Sequence, residues 1–269
     1  MPIIYLSPSL QPFNKYVNGG DEQYYMNLIA DAMEPYLRAN GIQYVRSSRD
    51  MTLGQAIRQS NEGYYDLHLA LHSNAAPESL SGQLQGTDVY YYPASVRGKQ
   101  AATIIADNFK NIYPQPNLVK TVPTTRLAEI TKTNAPSVLI EVAYHDNPDD
   151  ANWIINNIGL IARTLALSLT EYFDLPFVEP LQPFAAGASY RMGDLVFYDG
   201  SLYQADVNDP TGTPGSSADY NLVTVMGPTG ATGPTGPIGP KGDPGSQEPI
   251  DPRGERGEKG EQGIQGEKG

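Results

Sequence analysis

Apolar positions along the first 176 residues switch repeatedly between the spacing of strands and that of helices. Pro2 to Leu6 is a short apolar run closed by Ser7, Pro8 and Ser9, which predicts a buried strand leaving into a loop. Tyr25, Leu28, Ile29, Ala32, Met33, Tyr36 and Leu37 then recur at helical spacing, predicting a helix over 21–40. Asp21 is placed to cap its start and Gly41 to stop its end. Further runs predict strands at 42–45, 67–71, 89–92 and 137–142, and helices at 53–61, 99–112 and 149–172. This alternation predicts an α/β layered domain with a mostly buried sheet.

The pattern stops at Pro176, Pro180 and Pro183, and 177–189 reads as a Pro-rich linker. Residues 190–226 are short and β-like: two alternating runs flank Asp199-Gly200, a dipeptide that favours a tight hairpin turn. From Gly227 glycine recurs at every third position to Gly269, with the phase kept through Glu248 and Asp251. Only glycine fits the crowded axis of three wound polyproline-II chains, so 227–269 reads as a collagen-like Gly-X-Y segment and predicts a homotrimer. The competing reading of that stretch is a disordered Gly/Pro linker.

Composition narrows the chemistry. The 269-residue chain has no cysteine, which excludes disulfide frameworks, thiolate metal sites and cysteine nucleophiles. Any metal must be held by His, Asp, Glu or other oxygen donors. The formal net charge is −12, and none of the three regions is basic, which argues against nucleic acid as a partner. No apolar run is long enough for a membrane span, and the first residues lack the basic and apolar regions of a secretory signal. A cell-wall, spore-surface or lysis-released location is compatible with that.

The three histidines and a few carboxylates carry the candidate chemistry. In 66–74 leucines alternate with His68, Ala70 and His72, so His72 stands at the exit of a buried strand, where ligands collect in open α/β sheets. His68 shares that face but sits roughly 13 Å away at strand rise, too far to share one metal with His72. Glu141 ends the apolar run Ser137 to Ile140, where a carboxylate is costly unless it is functional or paired. Glu22 opens a helix, a place the helix dipole favours for an acid in any case. His145 follows in a loop and reads equally as a surface residue.

These motifs together resemble the zinc-dependent N-acetylmuramoyl-L-alanine amidases of the catalytic type with a phosphorylase/hydrolase-like α/β fold. Glu22, seven residues before Ile29-Ala30, is similar to the helix-borne zinc ligand of that family. Arg49-Asp50 through Ser60-Asn61 matches the spacing before the next motif, and Leu71-His72-Ser73-Asn74 resembles its zinc-binding histidine motif. Ala135-Pro136 through Glu141 resembles its final strand, with Gly86 to Tyr92 and Val122 to Thr133 aligning with the segments between. The resemblance implies a layered mixed sheet flanked by helices over 1–176, Zn2+ held by Glu22 and His72, and Glu141 as general base. It further implies cleavage of the amide bond between N-acetylmuramic acid and L-alanine of peptidoglycan. The chain departs from the family at Leu10, which stands where the first zinc histidine is expected and cannot bind metal. His145 is the replacement third ligand considered, with Gln11 or Asn14 as weaker oxygen donors. The alternative is a non-catalytic wall or spore-surface protein whose degenerate amidase domain binds glycan.

Residues 190–223 resemble small chitin-binding modules with a Tyr-x-x-Gly-Asp-x-Val start, carried here by Tyr190, Gly193, Asp194 and Val196. That resemblance implies a carbohydrate-binding face with Tyr198, Tyr203 and Tyr220 as stacking contacts. The segment lacks the tryptophans usual on such a face, and a β spacer before the rod is the competing reading.

Overall fold

The computed structural model describes residues 1–225; the Gly-X-Y segment 227–269 and the trimer it predicts lie outside the described residues. Strand β1 (Ile3–Pro8) enters a loop that leads to helix α1 (Glu22–Ala39), followed by β2 (Gln43–Arg46), α2 (Leu53–Glu62) and β3 (Leu67–Asn74). Next come β4 (Thr87–Tyr91), α3 (Val96–Phe109), β5 (Val119–Pro123), α4 (Ala128–Thr131), β6 (Ser137–Tyr144), α5 (Pro148–Asn156) and α6 (Ile158–Tyr172). The six strands form one sheet in the order β2-β1-β3-β6-β4-β5. The pairings are parallel except β4 against β6, which is antiparallel. This is the mixed, mostly parallel sheet flanked by helices that the alternating pattern predicts.

Strand alternation sorts the side chains into two unlike faces. Ile4, Leu6, Leu67, Leu69, Leu71, Val138, Ile140 and Val142 are fully buried in the main core with Met26, Ile29 and Met33 of α1, Ile105 of α3 and Leu165 of α6. The opposite face carries Tyr5, Ser7, His68, His72 and Glu141, and is covered from α2 and α4. Tyr5 there donates to Gln59 and stacks on His68 at 5.2 Å between ring centroids. Ile130 beside α4's Glu129 packs on Ala70 and Leu139, which fixes that short helix against the sheet.

Local chemistry explains several boundaries. The Asp21 side chain accepts from the Tyr24 backbone N–H and starts α1, and Gly41 leaves it at a φ of +66°. Thr52 and Gln55 form a reciprocal capping box on α2. The single helix expected over 149–172 is two, broken at Asn157 and bent by 75°. The apolar spacing runs through this break, so periodicity alone hides it. Among the described residues no single helix is long and apolar enough to cross a membrane.

The β-like region is a four-stranded sheet in the order β10-β9-β8-β7, with β7 (Gln182–Pro183), β8 (Leu195–Tyr198), β9 (Ser201–Ala205) and β10 (Tyr220–Val225). Asp199 and Gly200 take φ of +45° and +70° in the turn joining β8 to β9, as the dipeptide predicts. The Pro-rich stretch is more structured than a linker. Within it β7 pairs with β8, the Val178 backbone N–H and carbonyl both bond the Asn40 side chain, and Arg163 pairs with Glu179.

Gly86 opens β4 at a φ of +124°, and a Cβ there would lie 2.5 Å from the Leu118 carbonyl oxygen. Gly86→Ala is expected to destabilise the domain by roughly 1–3 kcal/mol, the cost of such backbone strain. Denaturant titration of the two chains measures it.

Candidate functional site

The polar residues of the second sheet face converge at the carboxyl ends of β1, β3 and β6. Register sets His72 of β3 opposite Glu141 of β6, and Glu141 opposite Asp88 of β4. Glu22 arrives from the first turn of α1, its backbone N–H bonded to the Asn14 carbonyl. The His72 ring is held on both sides: Nδ1 lies 2.8 Å from Glu22 Oε1, and Nε2 lies 3.0 Å from Glu129 Oε2. Asn14 donates to the second oxygen of Glu22 at 2.6 Å, and the Gln11 side-chain amide lies 3.2 Å from His72 Nδ1.

Behind this pair the polar chain continues inward. Glu129 Oε1 accepts from the Ser7 hydroxyl at 2.5 Å and lies 3.2 Å from His68 Nε2. His68 Nδ1 in turn lies 2.8 Å from the Ser60 hydroxyl oxygen. Strand rise separates the two histidine backbones by about 13 Å, yet the two oxygens of one carboxylate bridge their rings.

Burial and pairing set the charges. Burial pushes the carboxyl pKa values of Glu22 and Glu129 up, but hydrogen bonds from His72 to both, and from His68 to Glu129, outweigh it and hold both below the ordinary range. Burial works against the charged form of His72, yet its bonds to Glu129 and Glu22 raise it well above the ordinary imidazole value. Glu141 differs. Its burial raises it to about 7; His72 opposes this, while the Glu22, Asp88 and Glu129 charges reinforce it. Its Oε2 is buried without a hydrogen-bond partner. Two carboxylates held ionised beside a third near neutrality is the separation of roles that acid–base chemistry uses.

The expected residues do not all meet here. Glu22, His72 and Glu141 come together, whereas His145 is occupied elsewhere. Its Nδ1 donates to the Ser73 carbonyl at 2.9 Å, and its ring stacks on Tyr16 at 5.3 Å. Its own carbonyl accepts from the Val17 backbone N–H, so it ties down the β1–α1 loop that carries Gln11 and Asn14. Far from a surface residue, it is buried. Among the described residues no group of three His, Asp or Glu side chains is placed to hold a metal ion. In the β module Tyr220 is buried in a core with Tyr190 and Val196, against Phe184, which removes it from any sugar-binding face. Tyr203 is half-buried, and Tyr198 is exposed.

Glu129 was not legible as a site residue. It lies on a four-residue helix too short to show periodicity. The signal available was indirect: two histidines on one buried strand face need an acceptor, and the carboxylate between Leu127 and Ile130 is flanked by apolar positions that would bury it.

A family described as N-acetylmuramoyl-L-alanine amidase matches residues 13–171, more than half of the chain. The chain belongs to this amidase family. Solved structures similar to the amidase domain include AmiC2 of Nostoc punctiforme, at 16% identity and a TM-score of 0.56, covering 64% of this chain and 97% of that one. The catalytic domain of CwlV from Bacillus (Paenibacillus) polymyxa var. colistinus matches at 18% identity and 0.56, covering 65% and 100%. An N-acetylmuramoyl-L-alanine amidase from Clostridium difficile 630 matches at 16% and 0.56, covering 64% and 97%. At these identities the likeness is one of fold. A comparison with curated protein sequences finds no match.

The Glu141 pKa has a consequence for stability in the metal-free amidase domain. A carboxyl raised from 4.5 to about 7 on folding contributes stability that is full below 4.5 and lost as pH rises through 7. Relative to the parent, Glu141→Gln therefore gains stability steadily between pH 4.5 and 7.5. Urea unfolding in the presence of a chelator at several pH values tests this, and a constant difference across the range would contradict it.

Proposed function

We propose that residues 1–176 form a peptidoglycan hydrolase that cuts the amide bond between N-acetylmuramic acid and L-alanine, with Glu141 as general base. Family membership supports the substrate class. The observation that carries the assignment of a base is Glu141 itself: half-buried with Oε2 enclosed and unpartnered, raised to about 7, and in register beside His72.

The fit of the family's zinc ion rests on the donors present. His72 Nε2 is fastened to Glu129, which leaves Nδ1 and the Glu22 carboxylate converging on one point beside the Gln11 amide. Nitrogen and oxygen donors of these types suit zinc, and a carboxylate on the far nitrogen is the usual support for a zinc-binding imidazole. Glu22 and His72 would hold the ion; Gln11 faces His72 with its amide nitrogen while its oxygen accepts from Asn14, so it would serve as a third donor only with the amide turned over. Bound there, zinc supplies Lewis acidity at the amide carbonyl and lowers the pKa of a water.

The chain's own groups account for the proton movements. The Glu141 carboxylate takes a proton from the attacking water and then delivers it to the leaving amine of L-alanine. A pKa near neutrality suits both transfers, because either form is within reach. Asn14 holds the Glu22 carboxylate in place during turnover. Residues 190–225 would hold the enzyme on glycan through Tyr198, and the Gly-X-Y pattern of 227–269 supports assembly as a homotrimer.

A second reading, a wall protein that binds glycan without cutting it, is favoured by Leu10 and by the engagement of both His72 nitrogens with carboxylates. Incubation with purified sacculi separates the two. Hydrolysis releases new L-alanine amino groups, and Glu141→Gln is expected to lower that release by at least about 100-fold while zinc content is unchanged. Sedimentation with sacculi without amine release by the parent would select the binder, and normal turnover by the variant would exclude Glu141 as base.

A further inference from the structure

Glu129 is a fully engaged buried carboxylate, only 3% exposed, and each of its oxygens faces a histidine. It takes no part in the proton transfers of the proposed reaction. An isolated carboxylate in that position would be costly, and a purely structural buried polar group is often replaceable by apolar packing. Its partners are not spread at random. One oxygen faces inward to Ser7 and His68, with Ser60 behind His68; the other faces the exposed end of the site at His72 Nε2. Thr133 donates to the Glu129 backbone carbonyl at 2.7 Å, and Ile130 is packed on Ala70 and Leu139, so the backbone that presents the carboxylate is fixed as well.

We propose that Glu129 is a positioning residue: through its bond to Nε2 it fixes the His72 ring so that Nδ1 faces Glu22 and the point where an ion would be held. An imidazole can rotate by half a turn about its Cβ–Cγ bond, which puts a carbon where each nitrogen stood, and a carboxylate bonded to Nε2 removes that freedom. Fixing the ring matters more here than in a site with three strong donors, because Leu10 supplies none. The proposal rests on the reading of His72 as an ion ligand and adds a residue that the family resemblance does not assign.

The test compares the parent with His68→Leu, which leaves the Glu129–His72 bond, and with the double variant His68→Leu, Glu129→Leu, which fills the space with apolar side chains and removes that bond. Zinc dissociation constants come from chelator competition, and stability from urea unfolding. His68→Leu is expected to change stability while keeping the parent's zinc affinity. The double variant is expected to bind zinc roughly 10–100-fold more weakly, the usual effect of losing such a supporting carboxylate. Equal affinity in the double variant and the parent would overturn the proposal and leave the hydrolase reading intact. If the parent binds no zinc, the zinc reading falls, and ring positioning is judged from the nitrogen-15 NMR signal of the His72 Nε2–H. A slowly exchanging signal in the parent and His68→Leu that vanishes in the double variant supports positioning; its absence from the parent, or survival in the double variant, overturns it.

Discussion

Two carboxylates, Glu22 and Glu129, are buried on one face of the central sheet beside a half-buried third, Glu141, and the pairing of the first two with imidazoles is what makes their burial tolerable. Glu22 and Glu129 share His72 between them, and Glu129 also takes His68. Removing an ionised carboxylate from water without such partners costs several kcal/mol or more. Glu141, the third, is bonded to neither imidazole, and its desolvation raises its proton affinity. One physical rule therefore produces both the ionised pair and the near-neutral acid beside it.

The fold makes this arrangement possible by dividing the sheet. Alternation sends leucines and isoleucines of β1, β3 and β6 into the core with α1, α3 and α6, while the residues between them face α2 and α4. The apolar face supplies the stability against which the polar face is set. His145, Tyr16 and the Asn14 backbone then fix the loop after β1, so that Glu22 reaches the strand ends from a helix rather than from a mobile segment.

Much of this was readable from residues alone. The α/β alternation, the Asp21 cap, the Asp199-Gly200 turn and the candidacy of His72 and Glu141 follow from local rules of spacing, capping and the cost of burying charge, whereas Glu22 became a candidate through the family resemblance. Less visible were elements without periodicity. Strand β5 is an edge strand whose residues after Val119 are largely exposed, so it lacks an apolar signature. Helix α4 is a single turn, and the break at Asn157 interrupts an apolar stripe without Pro or Gly at that position. His145 and Tyr220 looked available because sequence gives residue type and not burial. Each is held by partners distant in sequence, Ser73 for the first and Phe184 for the second. Glu129 belongs with them: its role depends on two histidines some sixty residues away.

The central claim is that Glu22, His72 and Glu141 belong to a single centre able to hold a divalent ion, with His145 outside it. Anomalous scattering at the zinc edge from crystals of the full chain grown with zinc tests this most directly. A single peak about 2.0–2.1 Å from His72 Nδ1 and within bonding distance of Glu22 is the result expected. A peak on His145, or none at His72, would contradict it.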